Sequence, residues 1–209
     1  MDYIKLLREM CKRDETFDEF LKTGKKDTYL EYRVGNEYNR FEFDGEMISV
    51  ELMFGATKAV IHVIDESTLI KIGFSDFKVD HAEREANIYA EACVDGVAQF
   101  FVPCHKLGKI YGRSIYEMEF VDADECLVTS DMWQKCSSEM SDEEISDAID
   151  DDDCYIENLF PFYYSEEEMS KLCDFLCELE INDLHSGNIG YLDGRIVLID
   201  YSGYFPCVF

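Results

Sequence analysis

Residues 181–200 read Ile-Asn-Asp-Leu-His-Ser-Gly-Asn-Ile-Gly-Tyr-Leu-Asp-Gly-Arg-Ile-Val-Leu-Ile-Asp. Asp183 follows a segment with helical spacing, Asn188 stands five residues later, and two apolar runs joined by Asp193-Gly194 deliver Asp200. Asp-Gly between such runs is a strong hairpin signal, because both central positions of the tight turn need positive φ. A loop feeding into a hairpin lets Asp183, Asn188 and Asp200 converge on one point. Phosphoryl transfer needs these residue types: a carboxylate to orient an acceptor hydroxyl and take its proton, and amide and carboxylate oxygens for magnesium, a hard cation that bridges phosphates. A polar loop before an ordinary hairpin explains Asp183 or Asn188 singly. It does not explain all three at this spacing.

Outward from this stretch, Glu166 to Leu179 has Met169, Leu172, Cys173, Leu176 and Leu179 on one helical face. Residues 122–165 differ in texture, and Glu139 to Asp153 is dominated by Asp and Glu. Such a run reads as a solvated, mobile insert outside the core. At the other end, residues 2–23 carry apolar side chains at helical spacing, with a second helix restarting at a capping box over Thr16-Phe17-Asp18-Glu19. Strands are predicted over Tyr29–Val34, Arg40–Phe43, Met47–Phe54, Ala59–Ile64 and Thr68–Phe74. A helix over residues 81–93 follows, then strands over Phe100–Leu107 and Arg113–Val121. The expected fold class is α+β, with a helical segment at 1–28, a mainly antiparallel sheet plus one helix at 29–121, an acidic insert at 122–165, and a helix with the loop-hairpin at 166–209.

Asp183-Leu184-His185-Ser186-Gly187-Asn188 resembles the catalytic loop of the protein-kinase-like superfamily, in the Asp-x-His-x-Gly-Asn form of small phage kinases, bacterial effector kinases and aminoglycoside-type phosphotransferases. Asp200-Tyr201-Ser202-Gly203 resembles the magnesium-binding motif that opens the activation segment. The resemblance implies a minimal bilobal fold with ATP and Mg2+ as cofactors. It makes Asp183 the catalytic base, Asn188 and Asp200 the metal ligands, and puts His185 where many kinases carry a lysine near the transferred phosphate.

A kinase-like chain also makes demands upstream. A phosphate-gripping lysine belongs in a central strand, and Leu69-Ile70-Lys71-Ile72-Gly73-Phe74 places Lys71 in an otherwise apolar one. A lysine there is costly to bury unless paired or at a ligand cleft. The helix after it should supply a glutamate partner; Glu85 is the candidate, with Glu83 and Glu91 as alternatives. The turn before Lys71, Phe54-Gly55-Ala56-Thr57, stands where phosphates are covered, and Gly55 and Thr57 become the cofactor-binding positions. The backbone of Glu119 to Val121 stands where adenine is met. The resemblance covers residues 47–121 and 166–203.

Three features depart from the family pattern. Ile181-Asn182 stands where the family has His-Arg, which makes control by loop phosphorylation unexpected. The glycine after Asp200 comes one residue late. The sequence ends six residues after Gly203, which implies a strongly truncated C-terminal lobe with no activation segment.

The chain has 209 residues, 47% of them apolar and 14% aromatic, ample for a packed core. Its formal net charge of −27 argues against nucleic acid and anionic membrane as partners, since both call for clustered Lys and Arg. A basic protein substrate suits that charge, and so does a role as an acidic decoy on a degenerate scaffold. A small cationic substrate of the aminoglycoside class is a further alternative. The nine cysteines form no Cys-x-x-Cys pair and no zinc-spaced quartet. Cys173 and Cys177 read as small core residues of their helix. An odd cysteine count without a secretory signal, and no run of about 18 apolar residues, make a cytoplasmic protein the expectation. For a phage or effector origin that is the host cytoplasm.

Overall fold

Asp2 and Asp14 start the first two helices. Asp2 Oδ1 accepts from the Lys5 N–H at 3.0 Å, opening α1 (Tyr3–Arg13), and Asp14 Oδ1 accepts from Thr16 and Phe17 at 2.8 and 3.1 Å, opening α2 (Glu15–Thr23). The cap of α2 is therefore Asp14, not the expected box at Thr16. Gly24 ends α2 in the left-handed region at φ 70, which glycine adopts without a Cβ penalty.

The strand expected over Tyr29–Val34 is instead a helix, α3 (Lys26–Arg33). Tyr29 and Tyr32 lie three apart on one helical face, and both are buried. Their rings pack on Phe20 and Phe17 at 5.1 and 4.8 Å. Burying two aromatics on one side outweighs the alternation that reads as a strand.

The structure, a computed structural model, describes residues 1–53, 55–121, 140–141, 144–145 and 159–203. The fold is α+β. The chain divides into two units, Met1–Asn87 with Pro103–Phe120, and Ile88–Val102 with Val121–Phe209. In the first, β1 (Tyr38–Phe43), β2 (Glu46–Met53), β3 (Lys58–Val63), β4 (Thr68–Gly73), β5 (Cys104–Ile110) and β6 (Arg113–Glu119) form one antiparallel sheet in the order β1-β2-β3-β4-β6-β5. Side chains alternate between the faces of a strand. Val50, Leu52, Ala59, Ile61, Val63, Ile70 and Ile72 join one buried cluster with the apolar stripes of α1–α3. The register pairs Lys71 with Val60 and Tyr116, Leu69 with His62 and Met118, and Lys58 with Gly73. Cross-strand partners share a face, so these residues line the face opposite the three helices.

Helix α4 (His81–Asp95) follows β4. The strand expected from Phe100 starts only at Cys104: residues 98–100 form a 3-10 turn, and Val102 donates to the Leu198 carbonyl at 2.9 Å. In the second unit, a capping box between Ser165 and Glu168 opens α5 (Glu166–Glu178), which buries Leu172, Phe175 and Leu176. Phe175 thus takes the place expected for Cys173, and both Cys173 and Cys177 are exposed. β7 (Ile189–Leu192) and β8 (Arg195–Leu198) form the hairpin, with Asp193 and Gly194 at φ 51 and 81 as a tight Asp-Gly turn requires.

Most of the acidic run from Glu139 to Asp153 lies outside the described residues. Ile145 within it is buried. Among the described residues, no helix is long and apolar enough to cross a membrane.

Candidate functional site

Lys71 and Glu85, far apart in the sequence, meet inside the first unit. The Glu85 side chain is completely buried, and its Oε2 accepts from Lys71 Nζ at 3.0 Å. Its other oxygen, Oε1, accepts from Lys58 Nζ at 2.9 Å. Lys71 Nζ also lies 3.1 Å from Met118 Sδ on the neighbouring strand. Of the alternative glutamates, Glu83 is exposed and reaches Lys106 at 3.5 Å, and Glu91 is exposed. Cys104 is buried beside this cluster. Burial pushes its thiol up to about 12, with the Glu85 charge adding to the effect, so Cys104 is no nucleophile near neutral pH.

The register of α4 decides which glutamate points inward, and Asp80 sets that register. Its Oδ1 accepts from the N–H groups of Ala82 and Glu83, both at 3.1 Å, satisfying donors that the first helical turn leaves open. Asp80 fits there because Gly73 has no side chain: a Cβ on Gly73 would stand 2.0 Å from Asp80 Oδ1. The strand that carries Lys71 and the cap that aims Glu85 are therefore one construction. Asp80→Ala is expected to lower stability by about 1 kcal/mol, read as a lower urea midpoint.

Three side chains of α3 hold the turn between β2 and β3. Lys26 Nζ donates to the Ala56 carbonyl at 2.8 Å. The Tyr29 hydroxyl lies 2.9 Å from the Met53 carbonyl and 3.0 Å from that of Val60, and burial raises its pKa. Arg33 Nε donates to the Leu52 carbonyl at 2.6 Å. Within the turn, a Cβ on Gly55 would stand 2.2 Å from the Lys58 carbonyl oxygen, and the Thr57 carbonyl accepts from the Phe74 N–H at 3.3 Å.

Glu119 closes β6. It sits opposite Thr68, and the adjacent Phe120 N–H donates to the Ser67 carbonyl at 2.8 Å. That pattern makes Thr68 and Glu119 a non-hydrogen-bonded pair, whose own backbone groups point away from each other. The backbone of Glu119 thus faces the edge beyond the last β5 pair, Cys104 with Met118. A cavity of about 330 Å³ at this end of the sheet is lined by Thr68, Pro103, Met118 and Glu119, with Glu66 and Glu117. Its carboxylates disfavour a phosphate there. His62 stacks on Phe120 at 3.9 Å, and burial lowers its pKa more than Glu51 raises it. Val121 lies in the second unit against Gly190, where a Cβ would meet Val121 Cγ1 at 2.4 Å.

The second unit gathers Asp183, His185, Asn188 and Asp200. Glu180, at φ 53, turns the chain out of α5 into the loop. Asn188 is buried, and its Nδ2 donates to the Asp183 carbonyl at 2.7 Å. The amide is thereby oriented, with Oδ1 as its remaining acceptor. The Ile199 N–H donates to the Asn188 carbonyl at 2.9 Å, tying the loop to the residue before Asp200. Tyr201 is buried and donates to the Val102 carbonyl at 2.8 Å, anchoring the other side of Asp200. Ser202 Oγ lies 3.3 Å from Asp200 Oδ1. His185 Nδ1 accepts from the Gly187 N–H at 3.1 Å, which leaves Nε2 to carry the ring proton, 3.7 Å from Asp183 Oδ1.

Asn188 and Asp200 offer hard oxygen donors, the chemistry that suits magnesium. Among the described residues, no group of three or more His, Cys, Asp or Glu is placed to hold a metal. Magnesium does not need one: it keeps waters and takes one or two protein ligands together with phosphate oxygens. The residues fit the ion on that basis. Sequence reasoning passed over Lys58 and Asp80. Asp80 carried a signal, because it directly precedes a helical run; the burial of Lys58, the first of six buried residues in β3, shows only in the structure. No protein-family profile matches the chain, and no curated protein matches it in sequence.

Proposed function

We propose that the chain is an ATP- and magnesium-dependent phosphotransferase of the protein-kinase-like kind, acting on a hydroxyl of a protein. The observation that carries this reading is the buried Glu85 carboxylate holding the Lys71 ammonium on the sheet face opposite α1–α3. Isolated buried charges are expensive, and here a strand, a glycine and a helix cap together build the pair. A cation positioned this way suits phosphate oxygens of a nucleotide.

In the reaction, Asp183 orients the acceptor hydroxyl and takes its proton as the oxygen bonds to the γ-phosphorus. The bond from that phosphorus to the β,γ-bridging oxygen breaks, and ADP leaves with the electron pair. Lys71 holds the phosphates, with Glu85 fixing its position. Asn188 and Asp200 would hold magnesium, which neutralises phosphate charge when bound. The backbone at Glu119 and Val121 is assigned to the base, and the turn at Gly55 and Thr57 to covering the phosphates. A basic protein substrate matches a chain of net charge −27.

A ligand that binds only the folded state raises stability by about 2.7 kcal/mol at one hundred times its Kd. Melting is therefore expected to shift upward with Mg·ATP, and far less with ATP plus chelator. No shift at millimolar nucleotide overturns the reading. An acidic protein that occupies a basic partner, which the net charge favours, then takes its place.

A further inference from the structure

We infer that Lys58 is a second phosphate-binding lysine, acting beside Lys71 on the same nucleotide; this rests on the nucleotide reading above. Glu85 takes Lys71 on one carboxylate oxygen and Lys58 on the other, at 3.0 and 2.9 Å. Two ammonium groups thus converge on one carboxylate, an arrangement that the oxygens of a phosphate chain can also bridge. The two side chains are only 3% and 4% exposed.

The position of Lys58 adds a second, independent argument. It is the first residue of β3, directly after the turn at Gly55–Thr57. A lysine at a strand end can ordinarily extend its flexible stem into water. This one is turned inward, on the face it shares with Lys71. Its backbone is locked to the turn as well: the Lys58 carbonyl lies so close to Gly55 that no Cβ fits between them. Lys26 and Tyr29 pin the same turn from α3. Turn and lysine thus form one preorganised piece, and the stem lets the ammonium swing from Glu85 Oε1 to an incoming phosphate oxygen. Lys71 and Lys58 grip the phosphates from adjacent strands.

An acyl-phosphate derivative of ATP, which acylates lysines next to its phosphates, tests this on the wild-type chain with peptide mapping by mass spectrometry. Calorimetry with Mg·ATP and with adenosine runs alongside. The expected result is modification of both Lys58 and Lys71, suppressed by excess ATP. Lys58→Met is expected to weaken Mg·ATP about tenfold or more, the worth of a charge-assisted hydrogen bond, while adenosine affinity stays within about twofold. If wild type binds Mg·ATP but only Lys71 is acylated, the Lys58 inference is wrong and the nucleotide reading stands. Equal weakening of ATP and adenosine in Lys58→Met makes its role structural and also overturns the inference. Wild type that binds no nucleotide removes both. Should Lys58→Met fail to fold, the acylation pattern of wild type decides alone.

Discussion

Asp183→Asn is expected to keep its stabilisation by Mg·ATP while losing phosphoryl transfer by a factor of about 10² or more, the contribution of a positioned base. The two effects separate because the proposed mechanism has Asp183 act on the acceptor hydroxyl and assigns it to neither adenine nor the metal. Its backbone carbonyl, not its carboxylate, holds the Asn188 amide, and asparagine preserves that carbonyl. Asp200→Asn is the contrasting variant. In the proposed reaction Asp200 is a magnesium ligand, so its replacement is expected to remove transfer and most of the magnesium-dependent stabilisation together. Transfer rates and melting shifts of both variants, measured on protein free of host kinases, check the assignment. Full transfer by Asp183→Asn makes another residue the base.

Glu85→Ala is expected to produce the largest change in stability, about 3–5 kcal/mol, the usual result of breaking a buried ion pair by removing one partner. Alanine takes away the carboxylate that Lys58 and Lys71 share and leaves a cavity under α4. Glu85→Gln keeps the volume and one acceptor oxygen, so it is expected to lose less. Urea denaturation of the two variants beside wild type gives the comparison. Near-equal midpoints for Glu85→Ala and wild type would mean that the pair contributes little to the fold, and the argument that binding explains its burial would weaken with it.

The parts of the fold set by local periodicity were legible in the sequence. The Asp193-Gly194 hairpin, the alternating strands from Glu46 to Gly73 and the helices around Leu7, Ile88 and Leu172 all follow from spacing alone. Helix α3 was not legible, because Leu30, Tyr32 and Val34 alternate as in a strand while Tyr29 and Tyr32 share a helical face. Tertiary burial against Phe17 and Phe20 decides between them. The choice among Glu83, Glu85 and Glu91 likewise turns on a cap, and the space for that cap exists only because Gly73 is a glycine. Lys58 was hidden for a different reason. A lysine just after a turn looks like a solvated strand end, and only the cross-strand register shows it facing Glu85.

Transfer of label from γ-labelled ATP tests the central claim most directly. The purified chain is incubated with magnesium and a cell lysate, and labelled proteins are identified by mass spectrometry. The account predicts labelled protein bands that require magnesium and wild-type chain and that vanish with Asp183→Asn. Bands of equal intensity with wild type, Asp183→Asn and no added chain, or no labelled protein at all, would contradict it.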